Sequence, residues 1–169
     1  MKPVRLLVAV VAAAALAACA STDKASDAPP KASVSSSGSW AFAFDAGSGV
    51  ASATLVGAEG AALVRLSCKA PNGEVQVADY TWGKAKVAEA VPVEFAIGSA
   101  KTGPVGRIAP ATDGRVALQF ATPSNDKVFR ALTPNAAVSA STPTRTHAWA
   151  AGAATRINDM LNSCRATGS

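Results

Sequence analysis

Reactive side chains are scarce in this sequence of 169 residues. It holds one histidine, one tyrosine and three cysteines. A zinc site needs several His, Cys or carboxylate ligands drawn together, which a single histidine and so few thiols do not provide. The acids Asp45, Asp79, Glu89, Glu94, Asp113 and Asp126 are dispersed, without the spacing of a calcium loop. No metal or cofactor is therefore expected. Charge is thin as well: 16 Lys and Arg stand against 11 Asp and Glu. The basic residues form no concentrated face of the kind nucleic-acid binders carry, so a nucleic-acid partner is not expected. Aromatic residues make up 5% of the chain, and all of them lie at or beyond Trp40.

The N-terminus has the three-part layout of an export signal. Lys2 and Arg5 precede an uncharged apolar run from Leu6 to Ala15. That run is short of the roughly 20 residues needed to cross a bilayer permanently. It ends at Leu16-Ala17-Ala18-Cys19, which resembles the lipobox of bacterial lipoproteins. The resemblance implies that residues 1–18 are a signal peptide removed before Cys19, and that the Cys19 thiol carries diacylglycerol. Ala20 is not the aspartate that retains lipoproteins in the inner membrane, so the resemblance further implies an outer-membrane anchor; the domain is read as facing the periplasm, with the inner membrane and the cell surface as the alternatives. Two or more acyl chains anchor stably, each buried methylene contributing about 0.8 kcal/mol. Removing Lys2 and Arg5 from 16 basic residues leaves 14 against 11 acids, about +3, so the whole-chain pI of 9.4 overstates how basic the remainder is.

After Cys19 the composition turns to Ser, Ala, Pro, Asp and Lys. Residues 20–39 have Val34 as their only large aliphatic, too little apolar surface to offset ordering. Residues 19–39 thus read as a lipidated N-terminus and flexible tether, a structured first strand being the alternative. As a coil, that tether would span about 25 Å on average and roughly 70 Å fully extended. Residues 40–169 are long enough for one core and form the β-rich domain. Short alternating or apolar runs mark strands at 40–45, 51–56, 63–68, 74–80, 91–97, 105–109, 116–121, 137–141 and 147–150. Pro71-Asn72-Gly73 and Thr112-Asp113-Gly114 read as hairpin turns. A helical turn is expected within 124–132. Ala154, Ile157, Leu161 and Cys164, spaced three, four and three, draw one apolar stripe on a terminal helix. The fold class is mainly β: a small antiparallel β-sandwich or barrel with a C-terminal α-helix.

With Cys19 lipidated in an oxidising compartment, Cys68 and Cys164 form an even pair, read as a disulfide pinning the helix to the sheet. Two buried thiols or a redox pair are the alternatives. Catalytic candidates are weak. His147 is a possible general base, but no nucleophile motif accompanies it, and a surface or edge-strand position suits it better. Gly47-Ser48-Gly49 lacks the strand-turn-helix setting of a nucleophile elbow and reads as a turn. Trp82 and Trp149 are candidate interface anchors, with burial in the core as the alternative. Lys84 and Lys86 form a basic loop edge without an assigned ligand.

From Leu63 onward the domain resembles small exported β-sandwich accessory proteins, some encoded beside type VI secretion systems. The resemblance rests on Leu63-Val64-Arg65-Leu66-Ser67-Cys68, the hairpin carrying Val75 and Val77, Val91-Pro92-Val93, Phe129-Arg130-Ala131-Leu132, and the helix from Arg156 to Cys164. It implies a non-enzymatic accessory and transfers no functional residue. The expected function is a non-enzymatic binding or scaffold module for another envelope protein. An inhibitor or immunity-type lipoprotein is the second reading and an envelope hydrolase using His147 the third; no small-molecule substrate is evident.

Overall fold

A strand whose residues alternate in polarity buries one face, and β-sheets stack when two such faces meet. The computed structural model describes residues 32–69 and 73–166 and shows this arrangement. One antiparallel sheet contains β2 (Ser39–Asp45), β3 (Val50–Val56), β4 (Ala62–Lys69), β5 (Glu74–Asp79), β6 (Ala88–Pro92), β9 (Val105–Pro110) and β10 (Val116–Pro123), in the order β2-β3-β4-β5-β10-β9-β6. The second contains β1 (Ala32–Ser35), β7 (Glu94–Ile97), β8 (Ala100–Thr102), β11 (Val138–Ser141) and β12 (Arg145–Ala148), in the order β1-β12-β11-β7-β8. The β1–β12 pair is parallel and the other described pairs are antiparallel. The fold is a β-sandwich with one C-terminal helix, α1 (Ala153–Ala166).

The seven-stranded sheet is wider than its partner, and α1 covers the part the smaller sheet leaves open. The helix packs against β2, β3 and β4. Its stripe of Ala153, Ile157, Met160 and Leu161 joins one core with Ala51, Ala53, Leu55, Val64 and Leu66. A disulfide between Cys68 on β4 and Cys164 on α1, with Cα atoms 6.2 Å apart, fixes this packing. Elsewhere the two sheets meet through aromatic rings. Phe95 on β7 has its centroid 5.5 Å from Phe120 and 5.6 Å from Trp149, and Trp149 is 5.9 Å from Trp40.

Three boundaries differ from the sequence reading. The folded part does not begin at Trp40: β1 covers Ala32–Ser35 within the segment read as tether, because parallel pairing with β12 supplies hydrogen bonds that its polar composition does not advertise. The run 91–97 is two strands in two sheets. Pro92 lacks an N–H and ends β6, Val93 donates instead to the Pro104 carbonyl, and the chain resumes as β7 in the other layer. A 3-10 turn at Tyr80–Trp82 ends the strand expected over 74–80 at Asp79. The helical turn within 124–132 is a 3-10 turn over Lys127–Ala131, capped by the Asp126 side chain accepting from the Val128 N–H. Residues 1–31, with Cys19, and 70–72, with Pro71 and Asn72 of the expected hairpin turn, lie outside the described residues.

Candidate functional site

The titratable chemistry of the chain faces inward. β5 alternates Val75, Val77 and Asp79 toward the core, and β12 sends His147 toward it from the opposite sheet. There His147 Nδ1 donates to Asp79 Oδ2 at 2.5 Å. The carboxylate also accepts from Trp149 Nε1 at 3.3 Å, and from the Thr81 hydroxyl and N–H at 2.7 and 3.1 Å. Asp79 and His147 are both fully buried. A carboxylate orienting an imidazole is an arrangement that general-base catalysis uses, but here the imidazole is fully buried. His147 is therefore neither a surface nor an edge residue: β12 lies between β1 and β11, and the ring is sealed between the layers.

Trp82 and Trp149 are core residues, 2% and 7% exposed, and neither is available as an interface anchor. The Arg145 guanidinium stacks 4.8 Å from the Trp82 ring centroid, and Trp149 spends its indole N–H on Asp79. Ser48 sits far from His147 in the fold, in the β2–β3 turn. There its hydroxyl and the Gly47 N–H donate to Asp45, holding that carboxyl below its usual range. Lys84 and Lys86 are exposed beside the Tyr80–Trp82 turn. Among the described residues no group of three or more His, Cys, Asp or Glu is placed to hold a metal ion.

The polar surface that the fold does assemble lies on the outward face of the seven-stranded sheet. In β4, β5, β9 and β10 the alternation that buries Leu66, Val77, Ile108 and Leu118 turns Arg65, Ala78, Arg107 and Gln119 outward. Register puts them in one row: Arg65 opposite Ala78, Ala78 opposite Gln119, Gln119 opposite Arg107. Adjacent strands lie about 4.8 Å apart, so the two arginine backbones are roughly 14 Å apart with the short side chain of Ala78 between them. The result is a cleft of about 530 Å³, lined by Arg65, Ser67, Gln76, Tyr80, Arg107 and Gln119 among others, with no acid in its lining.

The two arginines differ in how they are held. Arg107 donates through Nε and Nη2 to Gln119 Oε1, at 3.2 and 3.1 Å, and Gln119 Nε2 donates in turn to the Ala109 and Pro110 carbonyls at 3.2 Å each. The Arg65 side chain has no hydrogen bond or ion pair among the described residues and is exposed. At the rim, Arg115 lies 3.9 Å over the Tyr80 ring and pairs with Asp113 at 2.7 Å, which lowers the Asp113 carboxyl below its usual range. The one aromatic ring of the cleft lining thus carries a cation stacked against it. Guanidinium groups suit carboxylates and other oxyanions, which they bind in bidentate fashion.

Alternation alone marks Arg65, Gln76, Arg107 and Gln119 as outward. Their convergence depends on β5 pairing with β10 across some 40 residues of chain, a neighbourhood the sequence does not announce. Compared with known protein families, curated proteins and solved structures, the chain matches none.

Proposed function

We propose that this chain is a lipid-anchored envelope protein that acts by binding rather than by catalysis. It is held at Cys19 on the periplasmic face of the outer membrane and offers the outward face of its seven-stranded sheet to an acidic segment of another envelope protein. One observation carries the reading: the histidine and its carboxylate are sealed in the core, while the exposed cleft presents Arg65 and Arg107 and has no acid in its lining. A binding surface of this kind is steered by charge and weakens with salt. The lipobox supports the anchor.

The test is recovery of the full-length lipoprotein from envelopes after mild crosslinking, beside a form carrying Arg65→Glu and Arg107→Glu. The wild type is expected to bring down one specific partner, and the charge-reversed form to lose it with its melting temperature unchanged. Recovery of the wild type alone, or of the same partner by both forms, would sink the proposal.

A further inference from the structure

A sheet edge exposes unpaired N–H and C=O groups, and proteins blunt such edges with short strands, charge, proline or bulges. Three of the four edges here are blunted. β1 has four residues and β8 has three, with Lys101 at its centre ion-paired to Glu94. β6 carries Glu89 and Pro92, and its register is broken between Ala88 and Val91. β2 has none of these devices. It keeps unbroken register with β3 from Ser39–Val56 to Asp45–Val50, contains no proline, and bears no charge before Asp45. Its other side has no strand neighbour among the described residues, and Phe44 near its end is 42% exposed.

The sequence of β2 is also self-complementary. Trp40, Phe42 and Phe44 share the inward face and Ala41 and Ala43 the outward one, a pattern symmetric about Phe42. Antiparallel pairing with another β2 centred on Phe42 sets Trp40 against the second copy's Phe44, Ala41 against its Ala43, and Ser39 against its Asp45. Aromatic residues then meet aromatic residues on one face, which favours cross-strand pairing. Each Asp45 faces a serine, so the two carboxylates stay at opposite ends. Shifting the pairing by two residues leaves either Trp40 or Phe44 of each copy without an opposite residue in the strand. A symmetric two-fold contact of this kind closes on itself and does not propagate.

We propose that β2 is the docking edge for a second copy of this chain, joining two seven-stranded sheets into one through a two-fold axis at Phe42. Ala41 and Ala43 are exposed and outside the core, so charges placed there test the contact without disturbing the fold. The experiment measures sedimentation mass of the full-length protein in detergent, for the wild type, for Ala41→Glu with Ala43→Glu, and for Ala41→Lys with Ala43→Lys. The expected result is a dimeric wild type, a monomer for each doubly charged form, and recovery of the dimer mass when the acidic and basic forms are mixed. A monomeric wild type overturns the proposal, as does a dimer that persists in either charged form. A mixture that stays monomeric while both forms melt like the wild type overturns it too.

Discussion

His147 and Asp79 occupy places in the core where the neighbouring row is apolar. In register, His147 lies between Val34 and Ala140, with Phe95 one strand further on. Breaking a buried pair by removing one partner leaves an uncompensated charge, which costs far more than the pair itself contributes. His147→Ala is therefore expected to lower stability by about 3–5 kcal/mol in a urea titration; a loss below about 1 kcal/mol would show that Asp79 is satisfied by Thr81 and Trp149 alone. Nothing local marks this pair. His147 stands in a polar run, Thr144-Arg145-Thr146-His147, and its partner is 68 residues away. Gly106 is equally silent in the sequence. A Cβ there would lie 2.7 Å from the Gln119 carbonyl oxygen on the neighbouring strand β10 and 2.8 Å from Val93 Cγ2. Gly106→Ala should cost about 1–3 kcal/mol through overpacking. Gly103→Ala, whose added carbon meets nothing nearer than 3.9 Å, should leave the melting temperature nearly unchanged.

Among the elements, those with a clear period are legible and those set by tertiary pairing are not. β4 alternates Val64, Leu66 and Cys68 against Arg65, Ser67 and Lys69, and α1 repeats at three and four, so both are readable. β1 and β8 are too short and polar to show a period, and they exist because β12 and β7 offer them an edge. The stretch 91–97 looks like one strand since Val91, Val93, Phe95 and Ile97 are all buried; only the missing N–H of Pro92 tells that it changes sheet. The outward row from Arg65 to Arg107 is half legible in the same sense, its faces readable and its neighbours not. The disulfide was readable from the cysteine count, once Cys19 is assigned to lipid and the remaining pair to an oxidising compartment, and it spans 96 residues of sequence. In the chain-entropy picture such a loop contributes roughly 4–5 kcal/mol. Cys164→Ser should lose about that much, and amide exchange should then show α1 opening before the sheets. Simultaneous exchange of helix and sheets would mean that the stripe, not the disulfide, holds the helix down.

At the scale of the whole molecule, the sandwich separates reactive groups from displayed ones. Its acid–base pair lies between the layers, its cationic cleft on one broad face, and its undefended strand along one margin. The helix occupies the inner side of β2, β3 and β4, so the outward face of those strands remains open in a second copy docked through β2. Two such clefts would then lie on the same side of one continuous sheet, and a partner with repeated acidic segments would engage both, with the gain in avidity that linked sites give.

Under the anchoring at Cys19 proposed above, the four-residue ladder between β1 and β12 takes on a mechanical meaning. A pull on the domain enters through β1, the first described strand, and reaches that ladder before any other contact of the sandwich. Giving way there frees residues 32–38, about 23 Å of extended chain, while β2 and the disulfide-bound layers stay folded. Under that proposed anchoring, β1 would be the first part of the described fold to yield, before the seven-stranded sheet and the helix bound to it through Cys68 and Cys164.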